Sequence, residues 1–199
     1  MILSRAPVRL SMGGGGTDLP SYYKEFGGFL LATSINKYVN IVLNKRFEEN
    51  IRLSYSKTEI VDDISKIEHR IFREALNYTG ITRQIELVSV SDVPSNCGLG
   101  TSSTFTVALL NALYAYKRNY IGIDKLAEAA CHIEIDIFSI AYAALYAARI
   151  IRFGADASAI IIKFIIVLRA PKFYSFKTTT IFKTLHRIDA EHSFAKFCM

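Results

Sequence analysis

The sequence predicts an α+β fold, with a mixed, mainly antiparallel sheet packed against helices. Two observations lead to it. Short segments with apolar residues at every second position are interspersed with longer ones whose apolar residues recur at three- and four-residue steps. No internal repeat and no linker interrupts this mixture over the first two-thirds of the chain.

Residues 6–12 alternate, with Val8, Leu10 and Met12 facing one way and Arg9 and Ser11 the other, as in a strand. The run Gly13-Gly14-Gly15-Gly16-Thr17-Asp18-Leu19-Pro20 follows. Four glycines cannot hold a strand or helix interior, so a loop is expected there. Pro20 suits the first turn of a short helix over residues 21–26, ended by Gly27-Gly28. Residues 29–35, 37–43 and 51–55 are rich in Val, Ile and aromatic side chains and read as strands. Residues 64–78 turn helical through Ile64, Ile67, Ile71, Ala75 and Leu76, and residues 84–90 alternate again. A loop over 91–100 leads into a strongly apolar helix over 101–116, carrying Phe105, Ala108, Leu109, Ala112 and Leu113. Another helix is expected over 123–135, with Asp124 as its N-cap. Beyond it, residues 150–153 and 159–168 read as strands, and the chain after Pro171 is polar and basic with weak periodicity.

The 199 residues, 51% of them hydrophobic, suffice for one good core or two small ones. The net charge of +6 is spread without a run, which describes a solvated basic surface; a basic cleft for an anionic substrate is the sharper reading. Cys97, Cys131 and Cys198 lack the spacing of a zinc site or a disulfide framework and fit reduced thiols in the cytoplasm. The N-terminus has no signal-peptide core. The closest approach to a membrane span, residues 159–168, is too short and contains Lys163, so no membrane partner is expected. No aromatic–basic stripe or nucleic-acid module is present, so no nucleic-acid partner is expected either.

The segment with the most chemistry is Pro94-Ser95-Asn96-Cys97-Gly98-Leu99-Gly100-Thr101-Ser102-Ser103, set between a strand and a helix. A helix N-terminus presents unpaired N–H groups and a partial positive charge, and so binds phosphate. Gly98 and Gly100 would let the backbone approach an anion with no Cβ in the way. The hydroxyls of Thr101, Ser102 and Ser103 can donate to phosphate oxygens or complete a Mg²⁺ shell. No lysine ends the loop and no GxGxxG is present, which excludes a Walker A loop and a dinucleotide fingerprint. A plain glycine turn with a Thr or Ser helix cap is the bland alternative.

The pattern Pro-x-x-x-Gly-Leu-Gly-Thr-Ser-Ser resembles the central motif of the GHMP kinases, where it wraps the phosphates of ATP. Arg5-Ala6-Pro7-Val8-Arg9-Leu10, followed by Gly-rich Thr17-Asp18, resembles the first motif of that family. The particular form of this stretch, with FTVALLNALYAYK and LAEAACHIEIDI, is most similar to the heptose 7-phosphate kinases within it. The resemblance is close over residues 4–136 and fragmentary afterwards. It implies the GHMP N-terminal, ATP-binding domain over residues 1–168. Residues 169–199 would be a divergent tail or a fragment of a second, ferredoxin-like domain that is largely absent.

The resemblance further implies phosphoryl transfer from ATP, with Mg²⁺, to the anomeric hydroxyl of a heptose 7-phosphate. Arg9 would stabilise charge developing in transfer; a surface strand position is its alternative. Gly15, Gly16, Thr17 and Asp18 would hold the sugar, Asp18 by accepting from its hydroxyls; a turn cap is the alternative for Asp18. Pro94 and residues 98–103 would hold the nucleotide. Glu134 and Ser102 would hold the metal, the alternative for Glu134 being a solvated helix face. His132 reads as a packed or surface helix residue rather than a ligand. A homodimer is compatible with this reading.

The sequence also departs from the family. After Glu134 the family continues through a Gly-rich segment with an aspartate that serves as base or charge partner for the attacking hydroxyl. Here Asp136-Ile137-Phe138-Ser139-Ile140 runs directly into Ala141-Tyr142-Ala143-Ala144, and no aspartate matches that position. This leaves two alternatives beside the heptose kinase: a catalytically inactive nucleotide- or sugar-binding module, and a kinase for another sugar of the fucose or galactose kind.

Overall fold

The computed structural model describes residues 1–14, 17, 22, 25–95, 97–137 and 164–169. Among these the fold is α+β, as expected, and it is organised by one long strand. Strand β2 (Gly28–Lys45) runs for 18 residues. Strand β1 (Ile2–Gly13) pairs antiparallel with it from Ile2↔Leu43 to Gly13↔Leu31. The opposite edge of β2 is shared. Strand β5 (Ile85–Ser91) pairs with its C-terminal half, Val39 to Lys45, and β6 (Phe164–Arg169) with its N-terminal half, Gly28 to Thr33, both antiparallel. Beyond β5 lie β3 (Ile51–Ser54), which is parallel to it, and β4 (Thr58–Val61), which closes a hairpin with β3.

The sequence reading divides β2 into two strands, 29–35 and 37–43. The chain instead runs straight through, and the apparent break marks a change of register: Pro7 faces Tyr38, whereas Arg9 faces Ser34. Pro7 has no N–H to give to a ladder, and such residues sit at edges and irregularities. β1 is also longer than residues 6–12, and Met12, grouped on one side with the buried Val8, is 55% exposed. β4 was not foreseen.

Alternate residues of the sheet turn inward together. Ala6 and Val8 of β1, Val39, Ile41 and Leu43 of β2, Ile51 and Leu53 of β3, and Ile85 and Leu87 of β5 are buried in one core with the helices. Helix α2 (Thr101–Tyr116) lies on β1 and β2, at the bounds the sequence predicts. It is apolar on nearly every side, the pattern of a helix enclosed by its neighbours. Helices α1 (Arg70–Thr79) and α3 (Ile123–Cys131) flank it. Asp124, expected as the N-cap of α3, lies inside the first turn; Gly122 occupies the cap, and the carboxylate of Asp124 still favours the positive end of the helix. From His132 to Ile137 the chain continues as a π-helical turn. The expected strand at 150–153, the body of the helix at 21–26 and the tail after Arg169 lie outside the described residues.

The helix expected over 64–78 is two pieces, a 3₁₀ turn at Ile64–Lys66 and then α1. His69 separates them. Its backbone is extended and its Nδ1 accepts the N–H of Phe72 at 3.4 Å, so an imidazole serves as the N-cap. The ring packs among Tyr55, Phe72 and Phe105, at centroid distances of 4.8, 4.9 and 5.3 Å. Burial pushes the His69 pKa below its ordinary value, against the pull of the nearby Glu59 carboxylate. Burial also pushes Glu59 up, but hydrogen bonds from the Tyr55 hydroxyl and the backbone N–H groups of Glu68 and His69 outweigh it, and Glu59 ends below the usual range. Tyr55 is pushed up to about 12 by burial and by its hydrogen bond to Glu59.

A pH dependence follows. Only neutral His69 can accept at Nδ1, and its folded pKa lies below the unfolded value of 6.5. Its contribution is therefore complete above pH 6.5 and is lost as pH falls through the folded value. Glu59 acts in the same direction in a lower window, below its ordinary 4.5. Urea unfolding at stepped pH should show a loss of about 1 kcal/mol, the worth of an N-cap, between neutral pH and the window of Glu59. His69→Asn, which caps without titrating, should flatten that upper step while leaving the lower one.

Candidate functional site

Strand β5 ends at Ser91, and the chain is at once tied back to β2. The N–H of Tyr38 donates to Asp92 Oδ2 at 2.9 Å, and the N–H of Asp92 donates to the Tyr38 carbonyl at 2.9 Å. The Arg5 guanidinium lies 3.4 Å over the Tyr38 ring. The loop then crosses the surface through Pro94 and Cys97, both exposed.

The loop reaches α2 through two left-handed glycines, Gly98 at φ +75° and Gly100 at φ +69°. Leu99 between them turns inward against the core. Side chains rarely adopt such backbone, which is why the sequence places glycine on either side of an apolar anchor. Gly100 is also the N-cap of α2 and makes no side-chain cap, so the first turn offers its N–H groups outward in the way an anion requires.

The structure brings Arg9 to this loop. Its N–H donates to the Leu99 carbonyl at 3.1 Å. Its side chain lies flat over Gly100: a Cβ built there would stand 3.0 Å from Arg9 Nε and 3.1 Å from Cγ. Arg9 and the loop, 90 positions apart in sequence, thus form one surface.

Glu134 is brought there as well. It lies in the π-helical turn after α3, a kind of irregularity that often marks functional positions. Its side chain has 0% exposure. Three hydroxyls of α2 donate to it: Ser102 to Oε1 at 2.9 Å, Thr106 to Oε1 at 2.9 Å, and Ser103 to Oε2 at 2.6 Å. The solvated helix face that the sequence allowed for Glu134 is therefore wrong. His132, two residues earlier, is exposed and stacks obliquely on Tyr78, as a surface helix residue does. Ser102 is exposed directly above the buried carboxylate. Among the described residues no three His, Cys, Asp or Glu side chains group as a metal site. One carboxylate beside one hydroxyl nevertheless suits magnesium, which takes few protein ligands when phosphates supply the rest.

The Gly-rich loop is only partly described. The Thr17 hydroxyl bridges back to Gly14 O at 2.7 Å and Phe29 O at 2.6 Å, and accepts the Phe29 N–H at 3.1 Å, so it pins the loop to the start of β2. Gly15, Gly16 and Asp18 lie outside the described residues, as does everything between Ile137 and Phe164. Ser103 and Thr106 as partners of Glu134 are the features the sequence reading missed. Their signal was present: with Ser102 they stand at three- and four-residue spacing, one face of a helix. Cys97 is exposed with its Sγ 3.6 Å from Thr101 Oγ1.

Residues 64–146 match the family model of the GHMP kinases N terminal domain. The chain is 30% identical over 147 residues to a D-glycero-alpha-D-manno-heptose 7-phosphate kinase of Campylobacter jejuni, an alignment covering 67% of this chain and 43% of the relative. Its fold is similar to that of a D-glycero-D-manno-heptose 1-phosphate kinase from Bacteriodes thetaiotaomicron, with a TM-score of 0.68 at 20% identity over 87% of this chain and 61% of that one. It is also similar to a Streptococcus pneumoniae phosphomevalonate kinase in complex with phosphomevalonate and AMPPNP, with a TM-score of 0.54 at 16% identity over 69% of this chain and 43% of that one. The chain thus spans roughly half the length of these relatives. No helix among the described residues is long and apolar enough to cross a membrane.

The two glycines separate backbone strain from crowding. Gly98→Ala meets only the strain of a positive φ, since nothing lies near its Cβ, and should cost about 1–2 kcal/mol. Gly100→Ala adds contact with Arg9 and should cost more in the same urea titration. Equal losses would show that Arg9 moves aside freely.

Proposed function

This chain belongs to the GHMP kinases through its N-terminal domain, and from that premise we propose that it is an ATP-dependent sugar kinase acting on the anomeric hydroxyl of a heptose 7-phosphate. Such a step serves the synthesis of nucleotide-activated heptose in the cytoplasm. Residues 1–168 are the ATP-binding domain, and residues 169–199 are a divergent tail or part of the C-terminal domain. The observation that carries the reading is the meeting of Arg9, the Gly98–Gly100 loop and the Ser102–Glu134 pair at the N-terminus of α2.

Each part has a role. Residues 98–103 cradle the ATP phosphates on backbone N–H groups and on the hydroxyls of Thr101 and Ser102, and Pro94, which has no N–H to donate, shapes the loop beside the nucleotide. Ser102 and Glu134 would hold a magnesium ion, which would neutralise charge on the phosphates. Arg9 faces the transferring group and stabilises its charge. Gly15, Gly16, Thr17 and Asp18 receive the sugar. The anomeric oxygen attacks the γ-phosphorus, the bond from that phosphorus to the bridging oxygen breaks, and ADP departs. With no aspartate matching the family's base, the hydroxyl proton passes to water, which a loose transition state tolerates.

One sequence observation favours a second reading. The missing aspartate segment after Glu134 suits an inactive module that keeps its affinity for nucleotide or sugar. ATP consumption with heptose 7-phosphate, and with fucose and galactose in parallel, separates the readings. Turnover excludes the inactive module, and the preferred sugar fixes the substrate. In a titration of ATP with Mg²⁺, Gly100→Arg should lower affinity at least ~10-fold, the loss expected where a phosphate cradle is filled; unchanged affinity would sink the loop assignment.

A further inference from the structure

Glu134 has three hydroxyl partners, and holding a cation requires only Ser102. The other two differ from it in burial. Ser102 is exposed, whereas Ser103 and Thr106 have 2% and 0% exposure. An exposed hydroxyl can leave the carboxylate and find water or a ligand. A buried one that lets go leaves two polar groups unpaired, each without the water that would replace its partner.

The buried pair grips both ends of the carboxylate. Ser103 Oγ donates to Oε2 and Thr106 Oγ1 donates to Oε1. Thr106 Oγ1 also lies 3.1 Å from the Ser102 carbonyl, but its single proton favours the charged acceptor. Each carboxylate oxygen can accept more than one hydrogen bond. Oε1 therefore keeps a second direction, and Ser102 occupies it at 2.9 Å, on the side of the exposed loop.

We propose that Ser103 and Thr106 are positioning residues for Glu134. They fix its carboxylate beneath the phosphate loop with one face of Oε1 turned toward Ser102, so that a divalent cation bound with nucleotide phosphate meets a preset oxygen rather than a mobile one. This inference rests on the magnesium reading above.

The test compares ATP affinity of the full chain in Mg²⁺ and in EDTA. Thr106→Val keeps shape and removes the donor. It should weaken binding in Mg²⁺ by about tenfold, the usual effect of losing a partner of a metal ligand, with affinity in EDTA unchanged. Thr106→Ser should restore the Mg²⁺ value, which a loss of packing alone would not allow. Should Thr106→Val fail to fold by thermal melting, Thr106→Ala gives the same reading. Equal Mg²⁺ affinity in the parent and the donor-free variant, or failure of Thr106→Ser to rescue, overturns the positioning role. Glu134→Gln distinguishes the two claims: if it leaves the Mg²⁺ dependence intact, the metal reading itself fails.

Discussion

A carboxylate with no exposed surface loses several kcal/mol of solvation, and among the described residues it is the hydroxyls of α2 that compensate Glu134. The arrangement of the site depends on that bond set. It joins the π-helical turn after α3 to the first two turns of α2. Helix α2 is in turn seated on β1, where Thr104 reaches the Pro7 carbonyl and Asn111 reaches Ser4. Anything attached to the start of α2, the glycine loop above all, is thereby held against both the sheet and the third helix.

Strand β2 supplies the second constraint. It pairs with β1, which carries Arg9, and with β5, which delivers the chain into the loop. The Tyr38–Asp92 exchange ties the exit from β5 to the same strand. Arg9 and Leu99 then meet through a backbone hydrogen bond, so a guanidinium and a glycine loop from distant sequence are registered by the ladder itself. Sites carried by rigid elements in this way hold geometry better than sites on loops alone. The lack of a side chain at Gly100 is what allows Arg9 to lie so close.

The parts of this arrangement legible in the sequence are those governed by local rules. Helix α2 was readable to its last residue because two glycines precede it and its residues from Phe105 to Tyr116 are apolar or aromatic except Thr106 and Asn111. The strand character of β2 was readable, but its continuity was not, since only the pairing with β1 absorbs the irregularity near Pro7. Periodicity ran through residues 64–71 without warning that His69 would cap a new helix, because imidazole caps are uncommon and this one needs the aromatic cluster around it. The role proposed for Glu134 rests on motif resemblance. Its depth could not be read that way, since burial of a carboxylate is decided by what faces it from another helix.

That facing surface explains a peculiarity of α2. Five of its first six residues, Thr101, Ser102, Ser103, Thr104 and Thr106, bear hydroxyls, which are poor choices inside a helix because they compete for backbone hydrogen bonds. Thr104 does so here, donating to the Gly100 carbonyl four residues back. Packing cannot be the reason for the rest, since an apolar helix would fill this core as well. The hydroxyls make sense as two layers. Thr101 and Ser102 stand toward the loop surface, and Ser103 and Thr106 stand beneath with Glu134. A polar layer buried directly under an exposed one costs stability unless every member is paired. Among the described residues Glu134, Ser103 and Thr106 are all paired, and the side chain left accessible above them is that of Ser102, beside the glycines that open the backbone.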